Sequence, residues 1–142
     1  MDLKIFKSES GQKSTLIITI AIILGFSLFS MVKPQGALSI ATDSESLGIA
    51  YSEDMSIQVE LKDINSVEMV SDIEIGEMAD GVDDGKIRCG TYENNTFGTY
   101  QTYQYIDVNK YIVVKTADFV LVFNLSSERK TESFYEELLE KV

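Results

Sequence analysis

Residues 15 to 32 read TLIITIAIILGFSLFSMV, eighteen consecutive positions without a charged side chain. As an α-helix such a run is about 27 Å long at ~1.5 Å per residue, close to the ~30 Å hydrocarbon layer of a bilayer. It predicts a transmembrane helix over 14–33, preceded by a short basic segment, 1–13. A cleaved secretory signal is the competing reading, since it also begins basic and continues apolar. Its core is about 7 to 15 residues and ends at a small-x-small site. Here the run is longer and ends in Met31-Val32-Lys33-Pro34, and Ser39-Ile40-Ala41 lies well past it. Lys4, Lys7 and Lys13 precede the run and Lys33 alone follows it closely, which favours a cytoplasmic N-terminus. The expected localisation is therefore the cell membrane, single-pass, with the C-terminal body extracytoplasmic.

That body, 34–142, is acidic. Four of the 12 basic and two of the 23 acidic residues precede Pro34, which leaves 8 against 21 and a formal charge of −13. Nucleic acid and anionic lipid headgroups would be repelled, so neither is expected as a partner. Cys89 is the only cysteine and the chain has no histidine. An intramolecular disulfide is thus excluded, and the commonest metal ligand and near-neutral proton carrier are missing.

Beyond the breaker Lys33-Pro34-Gln35-Gly36, the hydrophobic period becomes that of strands. Met55, Ile57, Val59 and Leu61 alternate with Ser56, Gln58 and Glu60, one face dry and one wet. Leu38 to Thr42, Leu47 to Tyr51, Ser66 to Ile73, Gly98 to Ile106, Tyr111 to Thr116 and Phe119 to Asn124 complete seven predicted strands, with Ile64 pointing into the core from a corner at 62–65. Residues 74–97 read as a long polar connection, and Ala117-Asp118 as a hairpin turn. The end of the chain, TESFYEELLEKV, has helical period: Phe134, Tyr135, Leu138, Leu139 and Val142 share one side, with Thr131 as N-cap.

Asp63-Ile64-x-Ser66-Val67-Glu68, Gly90-Thr91-Tyr92, Phe97-Gly98-x-Tyr100, Tyr111-Ile112-Val113-Val114-Lys115-Thr116 and Val122-Phe123-Asn124 occur in that order. Together they resemble the bacterial pleckstrin-homology-like (PH-like) domains found behind one or two membrane spans, over about residues 38 to 141. The resemblance implies a mainly β fold, a seven-stranded antiparallel barrel closed by a C-terminal amphipathic helix, here preceded by one transmembrane helix. It implies no catalytic residues. Eukaryotic PH domains grip phosphoinositides with basic residues between their first two strands, but residues 34 to 61 contain no Lys or Arg and that loop is Asp43-Ser44-Glu45-Ser46. Phosphoinositide binding is not expected to carry over.

Few residues suggest chemistry. GKIRCGTYENNTFGTYQTY, residues 85–103, is rich in glycine but lacks the P-loop and dinucleotide patterns, so Gly90 and Gly98 are expected to relieve crowding at bends or bulges. Asp80-Gly81-Val82-Asp83-Asp84-Gly85 resembles a calcium loop, yet Val82 and Thr91 occupy the third and twelfth EF-hand positions, where an oxygen ligand and a bidentate Glu belong. A looser site from Asp80, Asp83 and Asp84 stays open as an alternative. Cys89 reads either as a small core residue or as a thiolate favoured by Arg88 and Lys86. Of Tyr100, Tyr103, Tyr105 and Tyr111, about half are expected outward, available to a partner. No pair of carboxylates is singled out by spacing, and Ser and Cys have no His to activate them. The expectation is a membrane-anchored, non-catalytic PH-like interaction or sensing module with a protein or peptide partner, no cofactor and no assigned metal ligand. The alternative is an extracytoplasmic divalent-cation-responsive domain using the acidic loop 80–84.

Overall fold

A computed structural model of the chain describes residues 36–142. Alternating apolar side chains there build nine strands: β1 (Ser39–Thr42), β2 (Ser46–Ala50), β3 (Ser56–Glu60), β4 (Ile64–Val70), β5 (Glu77–Asp83), β6 (Ile87–Asn94), β7 (Gly98–Tyr105), β8 (Tyr111–Thr116) and β9 (Val120–Phe123). One helix, α1 (Glu128–Lys141), follows. β1, β2 and β3 form an antiparallel meander; the other six strands form a second sheet in the order β4-β8-β9-β7-β6-β5.

The central strands of the larger sheet are buried on both faces, and β8 and β9 show why. In β8, Ile112 and Val114 join the main core while Tyr111 and Val113 join a second cluster; in β9, Leu121 and Phe123 part in the same way from Val122. This is the two-residue alternation of a pleated strand. The main core lies between this sheet, the small meander (Leu47, Ile49, Val59) and α1 (Phe134, Leu138). The second cluster also takes in Ile73 and Ile75 from the link between β4 and β5, which stand at opposite margins of the sheet.

The PH-like barrel is not what forms. Two sheets of three and six strands replace seven antiparallel strands, the larger one ends at β4 and β5 without closing, and β7 pairs with β9 in parallel. The connection read at 74–97 contains the missing β5 and β6. β5 and β6 extend the sheet away from β4, and its two margins, β4 and β5, do not pair with each other, so the sheet stays open.

The predicted basic segment 1–13 and transmembrane helix 14–33 lie outside the described residues. Among the described residues no helix is long and apolar enough to cross a membrane; α1 has 14 residues and carries Glu, Arg and Lys along its length. The single-pass, cell-membrane and extracytoplasmic reading, and the membrane as a partner, have no described span to rest on and are set aside.

At α1 the N-cap is Ser127, whose extended backbone lets its hydroxyl accept from Lys130 N at 3.1 Å. Thr131, expected to cap, is instead buried inside the helix, where its hydroxyl accepts from Leu125 N and donates to Ser127 O. The helix packs on β4 and β8, so its dry stripe is narrower than the sequence suggests. Leu138 is fully buried, whereas Leu139 and Val142 are 43% and 50% exposed. Leu138→Ala is accordingly expected to cost about 2–5 kcal/mol in urea unfolding and Leu139→Ala less than about 0.5 kcal/mol. Equal losses would contradict this docking.

Candidate functional site

The acidic loop is a hairpin turn. Asp84 Oδ1 accepts the N–H groups of Lys86 and Ile87 at 2.9 and 2.8 Å, Asp83 Oδ1 accepts that of Gly85 at 3.0 Å, and Tyr51 donates its hydroxyl to Asp84 Oδ2 at 2.9 Å. Asp residues do this readily, which is why they start turns. The backbone N–H of Ile87 beside it, then that of Lys86, holds the Asp84 carboxyl below the usual range. Hydrogen bonding to Asp84 acts oppositely on Tyr51, raising its hydroxyl. Asp80 stands opposite Thr91 and Asp83 opposite Arg88, so three positions along the strand separate their side chains onto opposite faces. Among the described residues no group of three His, Cys, Asp or Glu side chains could hold a metal ion. The cation-responsive alternative is therefore corrected: Asp83 and Asp84 bond the turn that joins β5 to β6, and Asp80 stands apart from them on β5.

Cys89 faces the main core, fully buried, with Sγ 3.9 Å from Met55 Sδ. Arg88, one position earlier on the strand, projects from the other face. The tyrosine stripe is corrected as well. All four rings are buried, Tyr103 and Tyr105 in the main core and Tyr100 and Tyr111 in the second cluster or at its edge. Burial pushes both Tyr100 and Tyr103 up to about 12.

Two features remain. One is the β5 margin. Glu77, Met78, Ala79 and Asp80 are exposed, and among the described residues no strand pairs with the outer side of β5. Asp72, Glu74, Glu77, Asp80, Asp83 and Asp84 make this segment strongly anionic, with no Lys or Arg from 72 to 84.

The other is Arg88 on β6, which sequence reasoning named only as a cation beside Cys89. Its Nη1 donates to Gln104 Oε1 at 2.9 Å, Gln104 Nε2 donates to Thr102 Oγ1 at 2.7 Å, and that hydroxyl donates to Val122 O at 2.9 Å. Gln104 and Thr102 are fully buried. Because the Thr102 proton is committed to a carbonyl, its oxygen must accept, which turns the amide oxygen of Gln104 toward the guanidinium. Asp83 Oδ2 lies 3.5 Å from Arg88 Nε, with the two side chains 40% and 17% exposed. Burial raises Tyr92, Tyr100 and Tyr111, and the positive charge of Arg88 acts against the rise in all three.

The signal for this cluster is polar residues in one phase of β7, Thr102 and Gln104, but it becomes readable only when the register sets Gln104 opposite Arg88. Comparison of the chain with protein-family models, curated proteins and solved structures gave no match.

Proposed function

We propose that the domain is a non-catalytic binding module that takes up an extended, basic polypeptide segment as an added strand along β5. The observation carrying this reading is the anionic, unpaired outer margin of β5. An edge strand offers a row of backbone donors and acceptors, and main-chain pairing to it gives affinity without special pockets. Glu77, Asp80 and Asp83 oppose pairing with another copy of the same edge, because like charges across strands repel. Toward a lysine- or arginine-bearing strand the same carboxylates attract. The bulge between Met78 and Asp80 limits the paired length, so the segment taken up is short.

The test uses a synthetic peptide of ~10 residues alternating lysine with valine and threonine, a length matched to a short strand. Added to the full chain, it is expected to slow amide exchange along β5 and to bind about tenfold more weakly to Glu77→Lys/Asp80→Lys, whose two exposed positions leave the fold intact. Protection spread away from β5, or equal binding of a peptide with glutamate in place of lysine, overturns the proposal.

A further inference from the structure

At the opposite margin of the larger sheet, and independently of β5, we infer that β4 pairs with β4 of a second copy of this chain, antiparallel about a twofold axis at Val67. β4 has seven residues, against four in β1 and five in β3, the margins of the meander. Among the described residues nothing bonds the backbone of 65–70 on the side away from β8. Natural sheet edges are guarded by proline, by charge, by brevity or by a covering element. Ile64-Asn65-Ser66-Val67-Glu68-Met69-Val70 has no proline and one charge, Glu68. Its one irregularity, between Ile64 and Ser66, leaves Ser66 to Val70 in unbroken register. This margin is long and almost unguarded.

Charge selects a second copy as the occupant, and pleating restricts its register. Directly opposed residues of an antiparallel pair point to the same face, so each residue must meet itself or one an even number of positions away. Centring on Glu68 would oppose its two carboxylates, which repel. Centring on Ser66 runs into the irregularity before it, and centring on Met69 carries the pairing past the end of β4 at Val70. Centring on Val67 sets Val67 against Val67, Glu68 against Ser66 and Asn65 against Met69, so no like charges meet. Counted outward on that register, Lys62 in the short helical turn Leu61–Asp63 falls beside Asp72 of the other copy. Both are exposed, and each end of the pair gains an attraction.

The β5 margin is unsuited to the same use, since Glu77, Asp80 and Asp83 would meet carboxylates of their own kind. Pairing β4 with β5 would lay Glu68 along that acidic row, and a head-to-tail contact of this sort leaves a free edge at each end. β4 against β4 closes at two copies. Val67 packs on the main core and Val70 on the second cluster, and both are half-buried. Joining the two sheets would therefore cover apolar surface on each face, which water favours.

Sedimentation velocity of the full chain over about 1–100 μM is expected to show monomer passing into dimer and nothing larger. Ser66→Glu sets a carboxylate against Glu68 twice by symmetry and is expected to weaken the dimer about tenfold, whereas Ser66→Lys sets an ammonium there and is expected to tighten it about threefold. Circular dichroism checks that both variants are folded. A measurement on the parent chain needs no variant: amide exchange within 65–70 should slow as protein concentration rises, while exchange along β5 should not. Glu77→Lys/Asp80→Lys should dimerise like the parent, which separates this interface from the peptide site. A monomer at every concentration overturns the inference, as does growth beyond the dimer. Equal behaviour of the two Ser66 variants also overturns it, because association through the apolar run 15–32 would be indifferent to residue 66.

Discussion

Gly90→Ala is expected to lower the melting temperature of the folded domain by about 10–20 °C. Gly90 in β6 stands directly opposite Gly81 in β5. Both have positive φ, +136° and +147°, in the half of conformational space that side chains resist. A Cβ at Gly90 would overlap the carbonyl oxygen of Asp80 and the Cα of Gly81, both backbone atoms that no rotamer change can move aside. The backbone strain alone is about 1–3 kcal/mol, and displacing a paired strand adds to it. A total near 3 kcal/mol corresponds to the stated shift at roughly 3–6 °C per kcal/mol for a domain of this size. Gly98 supplies the control. Its φ is +72°, but a Cβ there meets nothing within 4 Å, and asparagine tolerates that backbone conformation. Gly98→Asn should therefore melt within about 5 °C of the parent. Equal losses at the two sites would mean that the close approach of β5 and β6 is not what Gly90 serves.

The same pair of strands marks where the sequence stopped being legible. Strands with one wet face, such as β3, or with long apolar runs, such as β8 and β9, announce themselves because burial imposes a period. β5 is exposed over its first four residues, so nothing selects alternation there, and its three acidic residues and a glycine read as loop. In β6, Ile87, Cys89 and Tyr92 are buried on opposite faces, and Gly90 interrupts the pattern where two backbones meet. What forms the hairpin is the Asp83-Asp84-Gly85 turn, the same run that resembled a cation site. Local chemistry fits either use of those carboxylates, and only the pairing of β5 with β6 decides between them.

Architecture was obscured for a related reason. Short antiparallel strands followed by one amphipathic helix fit the element order of a barrel, but that order does not reveal that β7 and β9 lie side by side and parallel. The arrangement becomes visible in Asn124, which was legible only as the end of an apolar run and of the Val122-Phe123-Asn124 motif. Likewise Arg88 appeared only as a neighbour of Cys89, although adjacent residues of a strand serve opposite faces. The relay from Val122 through Thr102 and Gln104 joins β9, β7 and β6, three strands whose order along the sheet no local pattern encodes.

Asn124→Leu is expected to cost about 3–5 kcal/mol, measured as the change in urea unfolding free energy of the full chain. The parallel pairing of β7 and β9 ends at Tyr103 and Phe123, and the fully buried Asn124 side chain continues it. Its Oδ1 accepts from Tyr105 N at 2.7 Å, and its Nδ2 donates to Tyr105 O at 3.3 Å and to Val108 O at 3.0 Å. Leucine would fill the volume but leave one backbone donor and two acceptors without these bonds, at about 1–3 kcal/mol for each group left buried and unpaired. Asn124→Asp separates the polar bonds from the packing. The new carboxyl keeps the acceptor for Tyr105 N, but when ionised it faces two carbonyl oxygens and is buried, so its folded-state pKa is raised above the unfolded value of about 4. Below about pH 4 it is neutral in both states and can donate to one carbonyl; as pH rises above that value the unfolded state ionises first and the variant loses stability relative to the parent. The gap between Asn124→Asp and the parent should thus be widest at neutral pH and narrow toward pH 4, while the gap for Asn124→Leu should change little over the same range. A pH-independent gap for both variants would place the stabilisation in packing, and not in the hydrogen bonds that hold β9 beside β7.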